Sequence, residues 1–380
     1  MSAESNPAPT LSVVVVTFRH GQALRRPLEA LVGELREGDE LIVVDNASGD
    51  ETPEVAEATA PSARVVRNPE NAGFPAACNL GAAEATGELL VFLNPDAVVA
   101  EGWRAAIEAP LRDGSGWAAW QALVTADGGR VINTRGGVLH YTGIAWAGGA
   151  GSPVASTSPL SIAEQEGARA EPEGAGLSIA DPGGTGLSIE QRVSEPGFVS
   201  GACLAIPRAG FERLGGFAAD FFLYHEDVDL SLRARLARGA LGVALDARVD
   251  HDYEFEKGPA KWRYLERNRW ATLIRAYPGA LLTMLAPALI ATELALIPAS
   301  IAGGWFGQKL RAWGDTLGAV PRLLRERRAI QASRTVTTAE FARALTPKLD
   351  SPYLGAASRS RLLGALLGGY WRVVLRLLGG

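Results

Sequence analysis

Short apolar runs, each closed by polar residues, recur through the first hundred positions and alternate with stretches whose apolar residues fall at helical spacing. Leu11 to Phe18 is β-branched and apolar almost throughout and stops at Arg19-His20-Gly21, which predicts a first buried strand. Pro27 to Leu35 follows with a helical period, and Leu41-Ile42-Val43-Val44 ends in Asp45-Asn46, so the segment reads as a βαβ unit. A short third strand is expected at Val65-Val66-Arg67. Asn71-Ala72-Gly73-Phe74-Pro75 then leads into a helix from Ala76 to Ala85. Leu89-Leu90-Val91-Phe92-Leu93 is the run around which the rest is arranged: it is apolar on both faces and closes on Asn94-Pro95-Asp96.

This alternation predicts an α/β fold with a doubly wound sheet whose strands end on one ligand-binding edge. Asp45 and Asp96 are expected side by side there. Alone, Asn94 and Asp96 read as a turn before the helix near Trp103; in a sheet of this kind Asp96 is also a candidate for a metal or a phosphate-bound metal.

Further strands are expected at Trp117 to Val124, at Phe198 to Ile206, and as two separate pieces at Val243 to Leu245 and Val249 to Asp252. Between Ser152 and Glu195 the composition shifts to Gly, Ala, Ser, Pro and Glu, and a Leu-Ser-Ile phrase recurs, which reads as a disordered insertion. After Gly215-Gly216-Phe217, the run Phe221-Phe222-Leu223-Tyr224-His225-Glu226-Asp227-Val228-Asp229 sets three carboxylates within four positions beside aromatic residues. They suit a helix N-terminus, whose dipole favours acids, but burial against the aromatic residues would be costly without a task. His251 closes the last strand near these acids and is a reasonable metal ligand.

Composition narrows the class. The 380 residues are 47% hydrophobic and 21% charged, a globular balance, and the formal net charge of −5 argues against general nucleic-acid binding. Cys78 and Cys203 are the two cysteines, too few for a disulfide framework or a zinc cluster, and a cytoplasmic setting is expected. The first ten residues lack a basic region followed by an apolar run, so a flexible N-terminus and no secretory leader are expected.

The Val13 to Thr17 strand, Asp45-Asn46-Ala47-Ser48, Asn71-Ala72-Gly73-Phe74, Leu93-Asn94-Pro95-Asp96, and Gly215-Gly216-Phe217 with Phe221 to Leu230 together resemble the family 2 glycosyltransferases. Within them the similarity is to the rhamnosyltransferase-like branch with the GT-A fold, over residues 11–275. The resemblance implies a nucleotide-diphosphate sugar donor, with Asp45 at the base or ribose and Thr17, Phe18, Asn71, Gly73 and Asn94 around it. It implies Asp96 as the metal-binding end of an Asp-x-Asp motif whose first position is Asn94 here, and His251 as a second ligand for Mg²⁺ or Mn²⁺. Asp227 matches the general base, with Glu226 as the alternative, and Tyr224, His225 and Asp229 fall on the acceptor side. Such a pairing suits sugar transfer, since a departing diphosphate gains negative charge while the anomeric carbon gains positive charge. A base opposite the leaving group inverts that carbon.

The C-terminal residues 276–380 are read as helical and membrane-associated. Gly279 to Phe306 is long and apolar enough for a bilayer but is interrupted by Pro287, Glu293 and Pro298, so a kinked span, a re-entrant hairpin or a buried helical pair remain open. Lys261, Arg263, Arg267, Arg269 and Arg275 among Trp262, Tyr264, Trp270 and Tyr277 form either an amphipathic helix with snorkelling arginines or an anionic interface. Glu266-Arg267-Asn268-Arg269-Trp270 differs from the Gln-x-x-Arg-Trp motif of processive relatives by its Glu. The expectation is an enzyme at the cytoplasmic face of the plasma membrane that moves one sugar, rhamnose by resemblance, onto a lipid-linked or cell-envelope glycan. A sugar-nucleotide pyrophosphorylase and a non-catalytic scaffold are the alternatives.

Overall fold

The computed structural model describes residues 9–154, 195–252, 258–351 and 354–379. The expected insertion lies outside the described residues except at its ends, as does most of the N-terminal decapeptide.

Strands β1 (Leu11–Thr17), β2 (Glu40–Asp45), β3 (Arg64–Arg67) and β4 (Leu89–Leu93) run parallel in the order β3-β2-β1-β4. Their alternation builds two cores. Val13 and Val15 face Leu28 and Leu31 of α1 (Arg25–Glu34), whereas Val14 and Val16 face Cys78 of α3 (Phe74–Ala83), with α2 (Thr52–Thr59) between them in the chain. A strand buried on both faces has no use for polar side chains until it ends. The register therefore lines up Thr17 with Asp45, and Val15 with Leu93.

This order corrects one expectation. Asp45 and Asp96 are not neighbours, because β1 lies between β2 and β4 and separates their ends by two strand spacings, roughly 10 Å.

The sheet continues through β5 (Val98–Val99), β6 (Trp117–Ala126), β7 (Val131–Thr134), β10 (Cys203–Pro207) and β11 (Ala240–Asp250), with α4 (Trp103–Glu108) after β5. A separate hairpin pairs β8 (Gly137–Leu139) with β9 (Ala145–Ala147). Strand β10 enters antiparallel between β4 and β6, so the sheet is mixed. The two pieces expected around residues 243 and 249 are one strand: its register on β6 jumps between Ala244 and Arg248, a bulge that places Leu245 and Asp246 in solvent. That bulge also swings His251 back toward the end of β4.

Helix α5 (Arg208–Leu214) leads to α6 (Glu226–Leu236), and α7 (Lys261–Ala276) crosses behind it. Further along the chain come α8 (Gly279–Ala302), α9 (Phe306–Ala332), α10 (Thr338–Arg343) and, after a single turn at Ala356–Arg359, α11 (Arg361–Leu377). α9 lies along α7 through Arg263–Asp315 at 2.6 Å and Arg275–Glu326 at 3.1 Å. Leu281, Leu285 and Leu289 of α8 join Trp371 and Val374 of α11 in a third core. α8 has the length and composition to cross a membrane and exposes Ile290, Leu294 and Ile301, while Glu293 is turned toward Arg269 and Lys309.

Candidate active site

The site forms where β1, β4 and β11 end opposite the N-terminus of α6, around a cleft of about 590 Å³. Thr17, Phe18, Asn71, Gly73, Asn94 and Asp96 line it together with Tyr224, His225, Glu226 and Asp227, and His251 stands beside Asp96. Parallel strands leave their last carbonyl and side chains unpaired at this edge, which is why the polar residues collect there.

Among the described residues the buried Thr17 hydroxyl has no hydrogen-bond partner, and Phe18 beside it offers a half-open ring. Asn46 holds this part of the cleft together. Its amide nitrogen donates to Asn71 Oδ1 at 2.9 Å, and its oxygen accepts from Asn68 Nδ2 at 3.0 Å and from the Ala72 N–H at 3.1 Å. Asp45, expected to touch the donor, does not line the cleft: its carboxylate accepts the Ser48 N–H at 3.3 Å and so closes the loop that presents Asn46. Asn46 was legible as one of several Asn residues at strand ends, but not as the joint between its own loop and the loop that follows β3.

Asp96 Oδ1 lies 3.1 Å from His251 Nε2, and Asn94 Nδ2 is 3.4 Å from the same ring nitrogen. Burial acts to raise the Asp96 pKa, but the hydrogen bond to and charge of His251 outweigh it and hold the carboxyl below its ordinary value. Half of the Asp96 side chain faces the cleft. One carboxylate and one imidazole, open on the cleft side, form a donor set that fits a divalent cation taking its remaining oxygens from a diphosphate.

At the turn before α6 the backbone is strained. Phe222, Tyr224 and His225 have φ of 61°, 71° and 67°, the left-handed region that side chains other than Gly seldom adopt. The clamp is Asn268 of α7, whose amide donates to the carbonyls of Phe221, Leu223 and Tyr224 at 2.9, 2.8 and 2.7 Å. Gly73 closes the loop from the other side. Its φ is 84°, a Cβ there would fall 2.4 Å from the Phe222 carbonyl oxygen, and the Phe74 N–H donates to that oxygen at 2.8 Å. The Asn71–Phe74 loop and the acidic segment are therefore packed directly against each other.

The strained turn delivers Glu226 and Asp227 into the first turn of α6, where the helix dipole favours acids. Asp227 accepts N–H bonds from Gly201 at 3.1 Å and Val228 at 2.8 Å, one on each oxygen, yet burial still raises its pKa above the ordinary value. Glu226 is buried with Oε2 unpartnered, and burial, then the charge of Asp227, push its pKa up to about 8. His225 is buried as well; desolvation, helped by Arg269, lowers its pKa to about 3 and keeps the ring neutral.

Asp229 does not belong with them. It is fully buried beneath α6 and paired with Arg233 at 2.8 Å and Arg275 at 3.4 Å, so its expected place on the acceptor side is corrected to a structural one. The basic aromatic stretch also resolves toward structure: Arg263, Arg269 and Arg275 are bound to Asp315, Glu266 with Glu293, and Asp229 with Glu326. Asn268 was missed because a lone Asn inside a helix carries no signal of the carbonyls it will meet.

A mixed, curled sheet with this edge defines a GT-A glycosyltransferase fold. The crystal structure of GalNAc-T7 with UDP, GalNAc and Mn²⁺ superposes with a TM-score of 0.52 at 17% identity, over 74% of this chain and 51% of that one; the chain thus spans about half the length of that enzyme. Residues 12–137 match the model of glycosyl transferase family 2. N-acetylglucosaminyl-diphospho-decaprenol L-rhamnosyltransferase of Mycobacterium tuberculosis is 28% identical over 288 residues, 70% of this chain and 83% of that protein. The chain is similar to the family 2 glycosyltransferases over residues 12–137, and to a rhamnosyltransferase over most of its length.

Proposed function

We propose that the protein is an inverting, metal-dependent glycosyltransferase. It moves a single sugar, rhamnose by similarity to its mycobacterial relative, from a nucleoside diphosphate to a lipid-linked or cell-envelope glycan at the cytoplasmic membrane face. One observation carries the reading: a single cleft is lined both by the Asp96–His251 pair and by buried Glu226 with half-buried Asp227.

Thr17, Phe18 and the loops joined by Asn46 bind the nucleotide, the ring of Phe18 offering a face for the base. Asp96 and His251 would hold Mg²⁺ or Mn²⁺, which when bound neutralises the negative charge of a diphosphate leaving group. Asp227 takes the proton of the acceptor hydroxyl. Its two N–H bonds fix the carboxylate orientation while leaving lone pairs on both oxygens, and its raised pKa brings it closer to the pKa a base needs near neutrality. Glu226 stays protonated beside it, so that the second acid adds no charge to the pair. Attack from the side opposite the diphosphate inverts the anomeric carbon.

Membrane contact follows from α8 and α11, whose outer faces expose Ile290, Leu294 and Ile301, and Leu362, Leu366, Val373 and Leu377 beside Arg361, Arg372 and Arg376. Glu293 keeps the opposite flank of α8 on the protein, which favours a helix lying at the interface over a free span.

The test is thermal unfolding with UDP-, GDP- and dTDP-sugars, with and without Mn²⁺, followed by NMR of the transferred sugar. A metal-dependent rise for one nucleotide and an anomeric configuration opposite to the donor are expected. No rise with any nucleotide, or retained configuration, overturns the reading.

A further inference from the structure

A second cavity, of about 510 Å³, opens from the first. The two share Asn133, Ala145, Trp146, Ala147, His225 and Leu265 as a neck. Beyond the neck the walls are apolar: Ile132 and Ile144 come from the β7 to β9 region, Leu296 from α8, and Trp262 and Trp305 stack at 4.6 Å with 12° between their rings. The far end therefore reaches the helix whose outer face exposes Ile290, Leu294 and Ile301.

Two buried nitrogens belong to side chains of this lining, one of them, that of His225, at the neck. His225 Nδ1 and Arg269 Nε have no hydrogen-bond partner among the described residues, and both side chains line the cavity. The charges behind that wall are answered internally, since Arg269 and Lys309 pair with Glu266 and Glu293. The lining also carries the exposed Asp252, whose carboxylate accepts the Asp127 N–H at 2.8 Å; an anionic ligand deep in the cavity would meet no free cation among the described residues, whereas an apolar chain with a polar head at the neck would match both parts.

We propose that this cavity holds the isoprenoid stem of the lipid-linked acceptor. The units nearest the headgroup lie against the Trp262–Trp305 stack, the headgroup lies at His225 and Arg269, and the chain leaves past Leu296 along α8 toward the bilayer. This rests on the proposed transferase reading for the meaning of the headgroup, but not for the binding of the stem. The volume lies within the roughly 300–1,000 Å³ of small-molecule sites, so it accepts the first isoprene units and not a whole polyprenyl tail. Entry from the side brings the acceptor hydroxyl to Asp227, two residues from His225.

The probe is farnesyl diphosphate bearing a diazirine on its terminal isoprene unit, applied to the whole protein in phosphatidylglycerol nanodiscs, with labelled peptides located by mass spectrometry. Label is expected on the peptides carrying Trp146, Trp262 and Leu296. Excess farnesyl diphosphate should compete for it, and inorganic pyrophosphate should not. Leu296→Trp and, separately, Ile144→Trp fill the cavity from two walls; each should lower labelling several-fold while leaving the nucleotide-sugar thermal shift as in the parent. Label confined to the outer faces of α8 and α11, competition by pyrophosphate alone, or labelling unchanged in both variants overturns the proposal. The location of label in the parent protein decides even where a variant folds poorly. If no nucleotide sugar shifts the unfolding temperature but the label falls in the cavity, the transferase reading fails and the lipid site stands.

Discussion

Two groups of buried carboxylates sit a helix apart in this protein and are treated in opposite ways. In the C-terminal helices, Glu266 and Glu293 face Arg269 and a fully buried Lys309: Lys309 Nζ is 2.5 Å from Glu266 and 2.8 Å from Glu293, and the Trp270 and Trp313 N–H groups donate to Glu293 as well. In the cleft, Glu226 is as deeply placed and Asp227 half-buried, and their help comes from the helix terminus and from the two backbone N–H groups that reach Asp227. The first group has its charges cancelled and serves to dock α8 and α9 on α7. The second has its proton affinity raised, and such a group is what a general base requires. Burial of acids is thus not by itself a sign of chemistry; burial without a cation is.

The largest effect expected from that contrast is at Asp227. Asp227→Asn should lower the transfer rate by roughly 10²–10⁴-fold, the usual contribution of a general base, with the urea midpoint unchanged or raised. A variant retaining more than a tenth of the activity would move the base elsewhere.

Lys309→Met probes the other group. It leaves two buried carboxylates to one arginine, and a loss of about 3–5 kcal/mol in urea unfolding is expected, a large share of the roughly 5–15 kcal/mol of an ordinary domain. A cost below about 1 kcal/mol, the range of exposed pairs, would mean that water reaches the quartet and would remove the comparison.

Asp96→Asn keeps shape but halves the charged donor set beside His251. Mn²⁺-dependent donor binding, read by calorimetry, should weaken by more than the roughly 10-fold that loss of an outer partner costs, while metal-free binding changes little. Equal weakening with and without metal would assign Asp96 to the sugar instead.

The smallest effect is the pH dependence at Glu226. Its folded pKa stands near 8 against an ordinary 4.5, so the folded state keeps a proton that the unfolded chain releases. Stability from this group is complete below about pH 4.5 and is lost as pH rises through 8. Glu226→Gln should therefore unfold at a higher temperature than the parent at pH 9, with the gap closing toward pH 5. A gap of the same size at both ends would show that Glu226 does not titrate in this window.

The parts of the fold that were legible are those with local causes. β1, β2 and β4 announced themselves because a strand buried on both faces must be apolar until its last residue, and the polar residues that stop it then fall on one edge. Asp96, His251 and Asp227 were found from such ends and from the order of motifs along the chain. Other readings failed for want of a partner in view: Asp45 and Asp96 were set side by side because the alternation of β and α does not say that β1 goes between β2 and β4.

By itself, then, the sequence determined the strands, their polar ends, the acidic first turn of α6 and the apolar length of α8, since each follows from the period and chemistry of contiguous residues. Which acids keep their charge uncancelled was decided in three dimensions. Asp229 and Asp227 are two positions apart, yet Arg275, arriving on α7, reaches the first and not the second. Asn268 holds the strained turn across more than forty residues, and the second cavity exists because β9, α7 and α8 meet. Burial and pairing are properties of contacts between distant segments, and a residue's own neighbours in the chain do not encode them.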